Sequence, residues 1–150
     1  MKSLFFLLLL TFAGCTPGAT VAPAGGGGPA ASTIDINLTV HAAGASPYGT
    51  LAGYAAPVTT VAVGSTIRFI NSDSFAHTAT VIAASTFPSG SPFTASAQTQ
   101  GGATISSAWS TGTLQAGVSS QTLLVDTAGT YLYGCFFHYG SPMRGAIVAQ

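Results

Sequence analysis

Three side chains with soft or borderline metal affinity fall within nine residues: Cys135, His138 and Met143, in the segment Tyr131-Leu-Tyr-Gly-Cys-Phe-Phe-His-Tyr-Gly-Ser-Pro-Met-Arg-Gly145. A thiolate, an imidazole and a thioether together suit copper, because sulfur favours the cuprous state and imidazole serves both oxidation states. Zinc rarely takes a thioether. The spacing is C-x2-H-x4-M, and Gly140 and Pro142 are turn residues that can swing the methionine back over a metal. A closed site needs a fourth ligand. Upstream the chain reads Asn71-Ser-Asp-Ser-Phe-Ala-His77-Thr, which makes His77 the candidate. Taken singly, a buried cysteine is commonly a small hydrophobe, and Met143 beside Pro142 could be core. The joint spacing with an upstream histidine outweighs those readings.

This set, a histidine after an N-x-D segment followed by C-x2-H-x4-M, resembles the blue-copper cupredoxins. The four-residue gap before the methionine is similar to the plastocyanin and pseudoazurin loop rather than to the amicyanin or azurin loops. The resemblance covers roughly residues 33 to 150. It implies a Greek-key antiparallel β-sandwich holding one type 1 copper, with His77, Cys135 and His138 in a plane and Met143 as a long axial ligand. Four protein ligands leave no open position for a substrate, so an electron carrier is expected rather than an enzyme. A multicopper oxidase or nitrite reductase fragment would need more histidines than His41, His77 and His138. Asn71 and Thr78, flanking His77, are expected to tie its loop to the cysteine loop. The resemblance also makes the His138 edge the electron port, and a domain with so little charge is expected to dock through a small apolar patch beside it, Tyr139 and Pro142, with Phe136 added if its side chain faces outward.

The elements that must position these residues are strands. Ile34, Ile36, Leu38 and Val40 alternate with polar residues, the period of a half-buried strand. His41, at its end, has no partner motif and reads as a surface histidine. Residues 42–56 read as a long loop, with strands expected at Pro57–Val63, Thr66–Asn71, Thr78–Ala83, Ser119–Asp126 and Gly145–Ala149. Ala84–Ser110 is polar, broken by Pro88, Pro92 and Gly101-Gly102, and loops of this length carry function or local structure. Trp109 is expected to pack against the barrel. Asp126-Thr-Ala-Gly-Thr-Tyr131 is similar to the tyrosine corner of Greek-key sandwiches. Alternation then puts Tyr131, Tyr133 and Cys135 on one face.

With 150 residues the chain fits one domain with its own core. Only 4% of residues are charged while 47% are hydrophobic, which is not the composition of a disordered chain. Residues 1–14, one lysine followed by an apolar run and small residues, read as an export signal too short to span a membrane. Cys15 after Phe12-Ala13-Gly14 resembles the bacterial lipobox, in which that cysteine is acylated, although Phe12 stands where leucine is usual. The alternative is an ordinary signal peptide with Cys15 incidental. Residues 15–32 have the Gly, Pro and Ala composition of a flexible tether, and 33–150 form the cupredoxin-like domain. Beyond residue 14, Arg68 and Arg144 face Asp35, Asp73 and Asp126, a formal charge of −1, which argues against nucleic-acid binding. If Cys15 is acylated, Cys135 is left as a lone thiol in an oxidising compartment, where burial at a metal protects it. The expectation is therefore an exported, lipid-anchored, monomeric carrier that passes single electrons between redox partner proteins outside the cytoplasm. The rival reading, a copper chaperone or storage protein, calls for a Met- or His-rich tract, and the chain has only Met1 and Met143.

Overall fold

The structure is a computed structural model and describes residues 30–150; the stretch expected to be an export signal, Cys15 and nearly all of the expected tether lie outside the described residues. Twelve strands follow one another: β1 (Ala31–Ile36), β2 (Gly44–Ser46), β3 (Gly49–Leu51), β4 (Tyr54–Ala55), β5 (Val58–Val61), β6 (Thr66–Asn71), β7 (Thr80–Ile82), β8 (Gln100–Gly101), β9 (Ser110–Thr111), β10 (Leu123–Leu124), β11 (Gly129–Gly134) and β12 (Arg144–Ala149). A 3-10 turn at Ala95–Gln98 precedes β8.

One sheet has the order β10-β6-β1-β4, the other β5-β12-β11-β7-β9-β8, and β2 and β3 form a separate hairpin. The fold is nearly all β, as expected, but two neighbour pairs are parallel: β1 with β6 and β5 with β12. The chain changes sheets between β5 and β6, so strands from different hairpins become neighbours in the same direction. The first strand begins at Ala31, two residues inside the stretch assigned to the tether, because Ala31 pairs with Thr66. It ends at Ile36 rather than Val40, since the Asn37 side chain accepts the Val40 N–H and turns the chain.

Alternating residues of the two sheets meet in one core that includes Ile34, Ile36, Ile67, Phe69, Tyr133, Cys135 and Ile147. Trp109 is buried and stacks on Phe69 with ring centres 5.7 Å apart. The Tyr131 hydroxyl donates to the Thr127 carbonyl at 3.0 Å, the bond of a tyrosine corner. A second, smaller cluster lies on the outer face of the larger sheet, where Ile82, Leu132, Tyr139 and Ala146 are covered by Phe87 and Phe93. The expected loop Ala84–Ser110 thus supplies an outer cover, the 3-10 turn and two short edge strands. Both ends of the described chain lie at one pole. Ala30 accepts the Thr66 N–H there, and Gln150 pairs with Val61 and Val63.

Candidate metal centre

The opposite pole carries the donor atoms. Cys135 follows β11 directly, and its N–H donates to the Met143 carbonyl at 3.0 Å. The strand pair β11–β12 therefore closes on residues 135–143 as its connecting loop. Within it the His138 carbonyl accepts the N–H groups of Ser141 and Met143 at 2.9 and 3.3 Å, which folds the loop back on itself. His77 comes from the other side. Its N–H and carbonyl pair with Leu114 at 3.1 and 2.8 Å, so its backbone is fixed at both ends.

Three donor atoms converge. Cys135 Sγ lies 3.8 Å from His77 Nδ1 and 3.6 Å from His138 Nδ1, and the two nitrogens are 3.1 Å apart. The point equidistant from all three is about 2.0 Å from each, the length of a nitrogen or sulfur bond to a first-row metal ion at about 2.0–2.3 Å. A thiolate and two imidazole lone pairs aimed at one point repel one another until a cation lies between them. The donor set thus fits a copper ion on chemistry as well as size. Met143 is fully buried, with its side chain against Gly53, where a Cβ would come 2.7 Å from Met143 Cγ.

The buried surroundings tune these groups. Burial raises the Cys135 thiol, opposed by hydrogen bonds that include the Thr78 N–H on its sulfur. Burial and the neighbouring His77 lower His138, so its ring is neutral and free to donate a lone pair. His77 Nε2 lies 3.1 Å from Asp73 Oδ2, in a pair that is almost fully buried. That contact fixes which imidazole nitrogen carries the proton and leaves Nδ1 facing the site. Burial alone would raise the Asp73 carboxyl. The bonds it accepts from His77 and from the N–H groups of Ser74, Thr39 and Leu38 outweigh that and hold it at about 2.

Thr78 bonds across to the cysteine loop: its Oγ1 accepts the Phe136 N–H at 2.8 Å and its N–H points at Cys135 Sγ at 3.4 Å. Asn71 acts differently from the expectation. Its amide donates to the carbonyls of Phe75 and Leu114 and accepts the Asp73 N–H, binding its own loop to the Leu114 turn rather than to the cysteine loop. Asp73, which holds the ring of His77, was not singled out by its sequence context; its place four residues before a histidine was the available signal.

Tyr139 is not a surface residue. It is 2% exposed, with its hydroxyl donating to the Pro88 carbonyl at 2.8 Å. Phe136 and Pro142 are half-buried, whereas Phe75 and Phe137 are 60% and 42% exposed and flank the two histidines in sequence. His41 pairs with Asp35 at 2.8 Å, away from the donor cluster.

The model of the copper-binding proteins of the plastocyanin/azurin family matches residues 45–150. Among solved structures, a purple cupredoxin from Nitrosopumilus maritimus is 18% identical with a TM-score of 0.51, covering 79% of this chain and 99% of that one. Two amicyanin mutants, one as Cu(I) and one in the reduced state, are 18% and 20% identical with TM-scores of 0.47, each covering 79% of this chain and 82% of theirs. No curated protein matches the chain.

Proposed function

Because the chain belongs to the plastocyanin/azurin family of copper-binding proteins, we infer that it is a mononuclear blue-copper electron carrier in which His77, Cys135, His138 and Met143 would hold the copper. The observation that carries this reading is the triangle of two Nδ1 atoms and one Sγ with sides of 3.1, 3.6 and 3.8 Å. Copper bound there supplies one-electron redox chemistry.

The chain's part is to keep the donors still. His77 is held through its backbone by Leu114 and through its ring by Asp73. Cys135 is held by the Met143 carbonyl and by the Thr78 N–H on its sulfur. Donors fixed in this way move little when the charge at the centre changes, which keeps the barrier to electron exchange low. Burial of His77, Cys135 and Met143 keeps water from their donor atoms and disfavours competing chemistry. Half-buried His138 is the route out, and exposed Phe137, with its ring centre 6.2 Å from that of His138, and Phe75 replace Tyr139 in the docking patch. Near-neutral charge makes this docking weakly dependent on salt.

Residues 1–14 act in this reading as a lipoprotein-type export signal, Cys15 as the acylated anchor, and the following segment as the tether of a carrier held outside the cytoplasm. Stable anchoring takes more than one acyl chain, which such a modification supplies. Adding Cu(II) to the purified protein should give an intense visible thiolate-to-copper band that Cys135→Ser abolishes. A colourless wild type would sink the carrier reading. Metabolic labelling with a fatty acid tests the anchor, and an unlabelled wild type would leave a plain secreted protein.

A further inference from the structure

The three loop donors have chain neighbours that meet on the opposite face of the sheet. Gly134 precedes Cys135, Tyr139 follows His138 and Arg144 follows Met143. Because successive residues at a strand end point to opposite faces, Cys135 and Met143 on the core side leave Gly134 and Arg144 on the outer side, and Tyr139, in the turn after His138, folds over onto that side. There the Tyr139 ring lies so close over Gly134 that a Cβ would sit 3.0 Å from its Cδ2. The Arg144 guanidinium is 4.0 Å above the centre of the same ring, and Phe93 meets it edge-on at 5.6 Å. The Pro88 carbonyl receives its hydroxyl at 2.8 Å, and Phe87 adds a second ring 5.7 Å from Arg144. Among the described residues Arg144 has no carboxylate partner; the faces of these two rings are its counter-surface.

We propose that this outer cluster positions the metal loop, with Tyr139 as the positioning residue and the segment from Phe87 to Phe93 as its brace; the proposal rests on the ligand reading above. Tyr139 is the first residue after His138 in the turn that the Ser141 and Met143 amides close onto the His138 carbonyl. Fixing its ring against Gly134 and Arg144 fixes the backbone next to each of the three loop donors. The brace reaches the site from a stretch about fifty residues upstream, and no part of it touches the donor atoms. It acts whether or not metal is present, so the loop is pre-formed for its ligand.

Hydrogen exchange on the full chain with metal removed tests this. Tyr139→Phe keeps the ring and deletes the bond to Pro88, while Phe93→Ala loosens the brace without altering the loop. In both variants the Ser141 and Met143 amides should exchange at least about tenfold faster than in the wild type, with the Ile34 and Ile67 amides unchanged. In the copper-loaded protein the same variants should displace the thiolate-to-copper band. Unchanged exchange at Ser141 and Met143, equal acceleration at all four amides, or an unmoved band in variants of a wild type that shows one would overturn the proposal. Failure of the wild type to bind copper would count against the ligand assignment and would leave the metal-free exchange result to decide this one.

Discussion

The two loops that bring the donors together are held by different forces. Residues 71–78 are held by polar bonds. The Asn71 amide spans two carbonyls, and the Asp73 carboxylate gathers His77, the Thr39 hydroxyl and the N–H groups of Leu38, Thr39 and Ser74. Residues 135–143 add packing to their hydrogen bonds, with Tyr139 pressed between Gly134, Phe93 and Arg144 and with Met143 against Gly53. A polar anchor answers to pH and tolerates small changes of volume, whereas a packed anchor answers to volume and ignores pH. One site therefore has two independent ways of being loosened.

The largest effect is expected on the polar side. A carboxyl held at about 2 in the folded chain against an ordinary 3.8 binds its proton less readily when folded. Its stabilisation, about 2 kcal/mol, is complete above roughly pH 4 and drains away as pH falls through about 2. Asp73→Asn should remove that amount at neutral pH and flatten the acid limb of the metal-free protein between those values. Urea unfolding followed across pH 2 to 7 measures both. An unchanged midpoint at neutral pH would mean that the Asp73 cluster contributes nothing net and that the contrast between the loops is only geometric.

A smaller effect tests the packed side. Gly53 has φ +77°, and a Cβ there would meet Met143 Cγ at 2.7 Å and Sδ at 3.2 Å. Gly53→Ala should cost about 1–2 kcal/mol from the left-handed backbone and the displaced thioether. It should leave the acid limb in place and shift the reduction potential while copper is retained. Thermal unfolding and voltammetry on the same variant check this. A potential identical to that of the wild type would count against Met143 as a ligand.

The smallest change in stability, within about 0.5 kcal/mol, is expected from Phe137→Glu, because that ring is exposed and braces neither loop. Electron exchange should slow while the visible spectrum holds. A rate equal to that of the wild type would move the docking surface away from His138.

The sequence made the local part of the site legible and left the non-local part dark. Cys135, His138 and Met143 stand within one connecting loop, where spacing alone predicts proximity, and the run into His77 is readable as a strand end. What escaped depends on partners far away in the chain. Tyr139 is covered by Pro88 and Phe93, which no local pattern links to it, so an aromatic beside the ligand histidine reads as a surface residue until the cover is seen. Asp73 serves Leu38 and Thr39 across thirty-odd residues, and Asn71 reaches Leu114 rather than the nearer-seeming cysteine loop. Strand ends slipped for the same reason. Residues 42–56 read as loop because β2, β3 and β4 are too short to show a period, and the Ser119–Asp126 strand shrinks to Leu123–Leu124 because its pairing with β6 is interrupted after Ser119, where the Ser120 hydroxyl accepts the Phe69 N–H in place of a backbone carbonyl.

The direction of β1 sets the pole from which the described chain starts. Its six residues run from Ala31, at the pole where the chain end also lies, to Ile36 beside Asn71 at the metal pole. That is a separation of about 17 Å along the strand. An attachment ahead of Ala31 would therefore grip the pole opposite the donors. The histidine edge would then lie at the far pole, facing away from that attachment and towards an arriving partner.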